Sequence, residues 1–178
     1  MAPDWIDELE SRSAPDRPAT AEIRLIGYPV VLASRQQQQT VEMMREFQLI
    51  TLGEPETHVL RELVDFAATM WADWGDALTG PRNELDRALA AGEEHTELRY
   101  PARVESRAEI LRYARLMEQA DAYCRGGELI SLGASSDVYA LRRWLVEEFV
   151  RQYDGEPPRP WSDDSFDPTS RAGSADVG

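Results

Sequence analysis

The chain has 178 residues and a formal net charge of −14, from 33 acidic residues set against 19 basic ones. That length fits one folded unit rather than two, and an acidic chain with scattered arginines repels phosphate backbones, which argues against nucleic-acid binding. All 19 basic residues are arginine, so a Walker A lysine, a Schiff-base lysine and a kinase-type phosphate lysine are excluded.

Residues 1–21 combine Pro3, Pro15 and Pro18 with charge and little periodicity, and read as a disordered lead in which DWIDELE forms at most a turn or two of helix. EIRLIGYPV, from Glu22, predicts a short strand that Gly27 interrupts. A helix follows Pro29 and runs to Gly53, with Pro55 as a stop beyond it. A second helix covers Glu56 to Leu78, and Gly80 with Pro81 closes it and opens a shorter third helix through Ala91. Thr96 to Tyr100 alternates as a strand halted by Pro101. Ser106 then opens a fourth helix with a capping box to Glu109, ending near Gly126 and Gly127. Glu128 to Leu132 is a candidate third strand. Ser135, Ser136 and Asp137 offer N-caps for a last helix through Asp154, with Gly155 just past its end. Residues 156–178 hold Pro157, Pro158, Pro160 and Pro168 among Asp, Ser and Gly, a composition too poor in apolar area to offset chain entropy.

The expected fold is therefore α+β and mainly α: four to five helices packed with two or three short strands over residues 22–155, between flexible ends at 1–21 and 156–178. No apolar run approaches the roughly 20 residues that span a bilayer. The opening MAPDWIDELESR lacks the apolar stretch of a secretory signal, so the expectation is a cytoplasmic protein without membrane contact. Cys124 is the single cysteine, which leaves no internal disulfide and no paired-cysteine zinc site.

Helical spacing identifies the misplaced charges. In the helix from Glu56, Leu60, Leu63, Phe66, Met70, Trp71, Trp74 and Leu78 share one arc, while His58 falls with Arg61, Glu62, Asp65, Asp73 and Asp76 on the opposite face. The Glu-x-x-His pattern of di-metal bundles is missing at both His58 and His95, so that face reads as solvated, and neither a metal nor a cofactor is called for. The last helix is the expected centre of the fold, because Val138, Tyr139, Leu141, Leu145, Val146, Phe149, Val150 and Tyr153 cover about half its circumference. Arg142 lies within that apolar arc, and Asp121 lies within the arc of Ile110, Tyr113, Ala114, Leu116, Met117, Ala120 and Cys124 on the Ser106 helix. Burying either charge alone is costly, which predicts a mutual Asp121–Arg142 pair, either a lock on helix register or part of a ligand pocket. Trp144 falls among Arg143, Glu147 and Arg151 on the charged side, which makes Arg143, Trp144 and Arg151 a candidate protein-binding surface. The alternative is that Trp144 covers the edge of the core. Cys124 ends an apolar stripe and reads as a small core residue, and Gln36 to Gln39 reads as polar helix surface.

The segments IRLIGYPVVL, MREFQLI, EQADAYCRGGELISL and ALRRWLVEEFVRQYDGEPPRPW, between Ile23 and Trp161, resemble a family of actinobacterial proteins. These accompany anti-sigma-factor ATPases, STAS-type antagonists and SpoIIE-type phosphatases in partner-switching signalling. The resemblance implies a regulatory setting with a protein partner and brings no catalytic residues with it. The chain is none of those named components: Asn83 is the only asparagine, against the asparagine and glycine-rich nucleotide motifs of the ATPase, and the phosphatase needs a large β-sandwich.

Two functions compete on this reading. One is a non-enzymatic regulatory or adaptor protein working through protein contacts. The other is a small-ligand sensor or an enzyme whose pocket includes Asp121 and Arg142, with Tyr113 or Tyr123 close by. A large pocket beside the pair favours the second, and a solid core favours the first.

Overall fold

The computed structural model describes residues 4–53, 58–126 and 133–162. In chain order these form α1 (Asp4–Ser11), β1 (Glu22–Pro29), α2 (Val30–Gly53), α3 (His58–Ala90), β2 (His95–Pro101), α4 (Ser106–Gly126) and α5 (Ser136–Tyr153). The architecture is α+β and mainly helical, with one antiparallel two-stranded sheet among the described residues. The candidate strand at 128–132 and the tail beyond residue 162 lie outside the described residues.

The two strands pair Ile23 with Tyr100 and Leu25 with Leu98, so one face buries Ile23, Leu25 and Leu98. The register shifts between Leu25 and Tyr28, where Gly27 takes φ +68°. A side chain rarely adopts that conformation, and the resulting bulge returns Tyr28 to the buried side. β1 passes into α2 without a loop, and the Val30 N–H donates to the Glu94 carbonyl at 3.0 Å.

α3 departs from the sequence reading, which ends a helix at Gly80 and starts another at Pro81. One helix runs through both residues. Proline removes one intrahelical hydrogen bond, but here its ring is buried and the helix packs against α2, β2 and α4 along its length. Packing on both sides of the break outweighs a local preference of a few kcal/mol. The start of α4 also differs. The Ser106 hydroxyl accepts the Arg103 N–H at 2.9 Å, and the Glu109 N–H goes to the Glu105 carbonyl at 3.0 Å, so the forward bond of a capping box is not made.

Among the described residues, three buried clusters make up the interior. The first joins the sheet to α2, the end of α3 and α5, through residues such as Leu25, Ala33, Leu85, Leu98 and Phe149. The second joins α2, α3 and α4 through Met43, Phe47, Phe66, Leu116, Met117 and Cys124. The third corrects the expectation of a disordered lead over 1–21, because Ile6 and Leu9 of α1 are buried against Leu111, Ala114, Val146 and Val150. Arginines of α4 hold α1 in place: Arg107 donates to the Leu9 carbonyl at 2.7 Å and Arg115 to Asp7 at 2.8 Å. Arg107 thereby satisfies a carbonyl that the end of an eight-residue helix leaves open.

α5 is central, as its wide apolar arc predicts, and closes with Gly155 at φ +98° just beyond its C-cap Asp154. It is buried on more of its surface than the arc indicates, since Trp144, Glu148 and Gln152 are buried too. That polar side is covered by neighbours carrying their own hydrogen-bonding groups. The Gln152 amide exchanges two bonds with the Arg24 backbone, at 2.9 and 2.8 Å. Glu148 accepts the Arg159 N–H at 2.9 Å and the Arg151 guanidinium at 2.6 Å.

Candidate functional site

α4 and α5 cross so that the Arg142 guanidinium donates to the Asp121 carboxylate, and the two side chains are 1% and 5% exposed for Asp121 and Arg142. Pairing and burial are both as the helical spacing predicts. The other Asp121 oxygen accepts the Ala134 N–H at 3.2 Å, and the guanidinium sits 5.6 Å from the centre of the Tyr139 ring. The Tyr139 hydroxyl accepts the Trp5 indole N–H at 3.2 Å. Burial pushes the nearby Glu118 carboxyl above its ordinary range, against a hydrogen bond with Tyr139 that pulls the other way. The free space beside the pair is only about 10 Å³, at the threshold for a single water. Among the described residues the pair is therefore packed in, and no ligand pocket surrounds it.

The large space lies on the other side of a wall that Gln36, Thr40 and Met117 share between the two sites. There a cavity of about 290 Å³ separates the first and second clusters, lined by Ala33, Leu85, Leu98 and Phe149 from one and by Phe66 and Met117 from the other. Exposed Val41 and Arg82 stand on its lining and mark a route to solvent. Protein interiors are packed like organic crystals with few voids larger than a water, and this volume is close to the lower end of small-molecule pockets, about 300 Å³.

Among the described residues, polar groups make up the smaller part of the lining surface. Tyr28, Tyr100 and Tyr113 all contribute. Burial raises the pKa of each, with Tyr100 pushed up to about 12, so all three remain neutral hydroxyls near pH 7. Gln36, 9% exposed, hydrogen-bonds Tyr113 through its side chain, while its Oε1 has no partner among the described residues. A buried acceptor left without a donor costs about 1–3 kcal/mol. The sequence reading assigned Gln36 to Gln39 to helix surface. Four successive helical residues at about 100° each point in directions spread over about 300° of the helix, so one of the four falls on the inward face.

Trp144, the centre of the candidate protein-binding surface, lies in the interior, while Arg143 and Arg151 beside it are half-buried. Trp144 is 4% exposed and belongs to the first cluster, with Trp161 edge-on at 5.5 Å and Tyr28 at 6.2 Å. Arg143 pairs with Glu147 at 2.8 Å and lies over the Trp5 ring, and Arg151 pairs with Glu148 and Glu156. The reason is the segment 156–161, expected to be flexible, whose Trp161 N–H donates to the Ile26 carbonyl at 2.9 Å and brings its ring onto Trp144. Tyr123 stands on the outside, edge-on to Phe47. Cys124 is buried, and burial raises its thiol pKa, which disfavours the thiolate a nucleophile needs. His95 is exposed at the start of β2, and the His58 side chain lies outside the described residues.

In comparisons with known proteins no family model matches the chain, and no curated protein and no solved structure matches it either. Among the described residues no helix is long and apolar enough to cross a membrane.

Proposed function

We propose that the chain is a non-enzymatic sensor that takes a small, mainly apolar molecule into the cavity between its first two core clusters. The observation that carries this reading is the cavity of about 290 Å³ in an otherwise packed interior. Its lining, apolar with a few placed hydroxyls and one unpartnered amide oxygen, has the make-up of a ligand site. α3 is the wall best suited to report occupancy, since Pro81 lies on the lining and removes one bond from the helix there. A protein partner reading that movement, in a cytoplasmic partner-switching setting, completes the proposal, and the sequence resemblance is its support.

The test is titration with N-phenyl-1-naphthylamine, a neutral probe that fluoresces when removed from water. Saturable one-to-one binding by the full chain, lost in Ala33→Leu with no fall in melting temperature, is the expected result. Absence of binding up to the probe's solubility, or equal binding by the filled variant, overturns the reading.

A further inference from the structure

Resting on the sensor reading, we infer that α1 is the regulatory element of the cavity: a molecule held there tightens the docking of α1, and an undocked α1 weakens the hold on the molecule. Both effects pass through one wall, formed by α4 and α5.

That wall is built from adjacent residues that meet different neighbours. On α4, Ile110 and Tyr113 line the cavity, while Leu111 and Ala114, next to them in the chain, are buried in the cluster that holds Ile6 and Leu9 of α1. On α5, Leu145 and Phe149 line the cavity, and Val146 and Val150 belong to the α1 cluster. Ile110, Tyr113 and Leu145 serve both sides: besides lining the cavity, they pack against that cluster.

α1 is suited to respond. An isolated helix of eight residues does not persist in water, so α1 is helical only while docked. Its charged contacts, Arg115 to Asp7 at 2.8 Å and to Glu10 at 2.6 Å, lie at an exposed edge, where ion pairs contribute little. Docking therefore depends on the apolar anchors Ile6 and Leu9 and on the wall beneath them.

The direction of the effect follows from packing. Side chains that border a void lack dispersion contacts on that side. A molecule in the cavity supplies those contacts and fixes Ile110, Tyr113 and Leu145 in the positions on which the α1 cluster rests. When one contact orders a shared wall, the second pays less to order it, which is positive coupling. Linkage makes the factor equal in both directions.

Hydrogen–deuterium exchange of the α1 amides, read on the full chain with and without saturating N-phenyl-1-naphthylamine, measures one direction. Exchange over residues 4–11 should slow by about fivefold or more, the low end of ordinary coupling between sites. The same probe should leave that exchange unchanged in Ala33→Leu, where the cavity is filled. The other direction is the Kd of the probe for Ile6→Asp, whose carboxylate cannot take the buried place of Ile6: it should rise by the same factor. Should Ile6→Asp lose its cooperative melt, the exchange measurement on wild type decides alone. Unchanged or faster α1 exchange in probe-saturated wild type, slowing that persists in Ala33→Leu, or a Kd in folded Ile6→Asp no higher than in wild type overturns the inference and leaves the sensor reading standing. If wild type does not bind the probe, the sensor reading fails and this inference with it.

Discussion

On one side of Gln36, Thr40 and Met117 the interior is charged and filled, and on the other it is apolar and hollow. Asp121 and Arg142 have about 10 Å³ beside them, while the cavity a few side chains away holds about 290 Å³. Two desolvated charges are tolerable only when each finds its partner at close range, so geometry at the pair leaves no slack. An apolar space loses only dispersion contacts when its walls stand apart, so it can stay open without unfolding the protein. On the proposed sensor reading, binding belongs to the hollow side, and the pair holds α4 against α5.

The sharpest way to break this contrast is to remove one charge. Arg142→Met leaves Asp121 buried and unpaired, and should lower unfolding free energy by about 3–5 kcal/mol in urea titrations. Adding Asp121→Leu should recover most of that loss. A single substitution costing under about 1 kcal/mol would mean that the filled side is wetter than its packing indicates.

Loss of packing comes next. Trp144→Ala should cost about 3–5 kcal/mol and Ile6→Ala about 2–5 kcal/mol by the same measurement, because both side chains are buried. A surface tryptophan or a frayed lead would change stability by only about 0.5 kcal/mol.

The hollow side should respond with the opposite sign. Ala33→Leu adds carbon where there is space and should raise stability by about 0.5–2 kcal/mol, the range usual for cavity filling, measured together with the loss of probe binding.

The smallest effect is expected at Glu118, on the margin of the filled side. Its carboxyl titrates above the ordinary value in the folded chain, chiefly because burial disfavours the charge. The folded state therefore holds this proton more tightly than the unfolded chain, whose glutamate titrates near about 4.3. Stability from this group is full below that pH and is lost as pH rises through the folded pKa. Glu118→Gln should be more stable than wild type at pH 7, and the difference should shrink toward pH 4 in thermal melts. A constant difference across that range would assign the effect to something other than ionisation.

Much of the fold is readable from periodicity and punctuation. β1, α2, β2, α4 and α5 fall where alternation, helical spacing and Gly or Pro boundaries put them, because those signals act within a few residues of chain. The Asp121–Arg142 pair is readable for a different reason: two charges, each on an apolar helical face, have few ways to be satisfied except by each other. The cavity left no comparable signal. It is defined by the distance between two clusters contributed by six elements, and no local pattern in any one of them encodes an empty volume.

What the sequence by itself determined is the class of structure, the central helix and the buried pair, since each follows from short-range geometry and the cost of burying charge. Tertiary structure alone decided that α3 runs through Gly80 and Pro81, that α1 docks by Ile6 and Leu9, and that the segment ending at Trp161 folds back over Trp144. In each case contacts distant in sequence outweighed a local preference worth at most a few kcal/mol. Gln36 shows the same rule at the level of one side chain: composition makes it polar surface, and only the helix's position against its neighbours turns it inward, with an oxygen lacking a donor among the described residues.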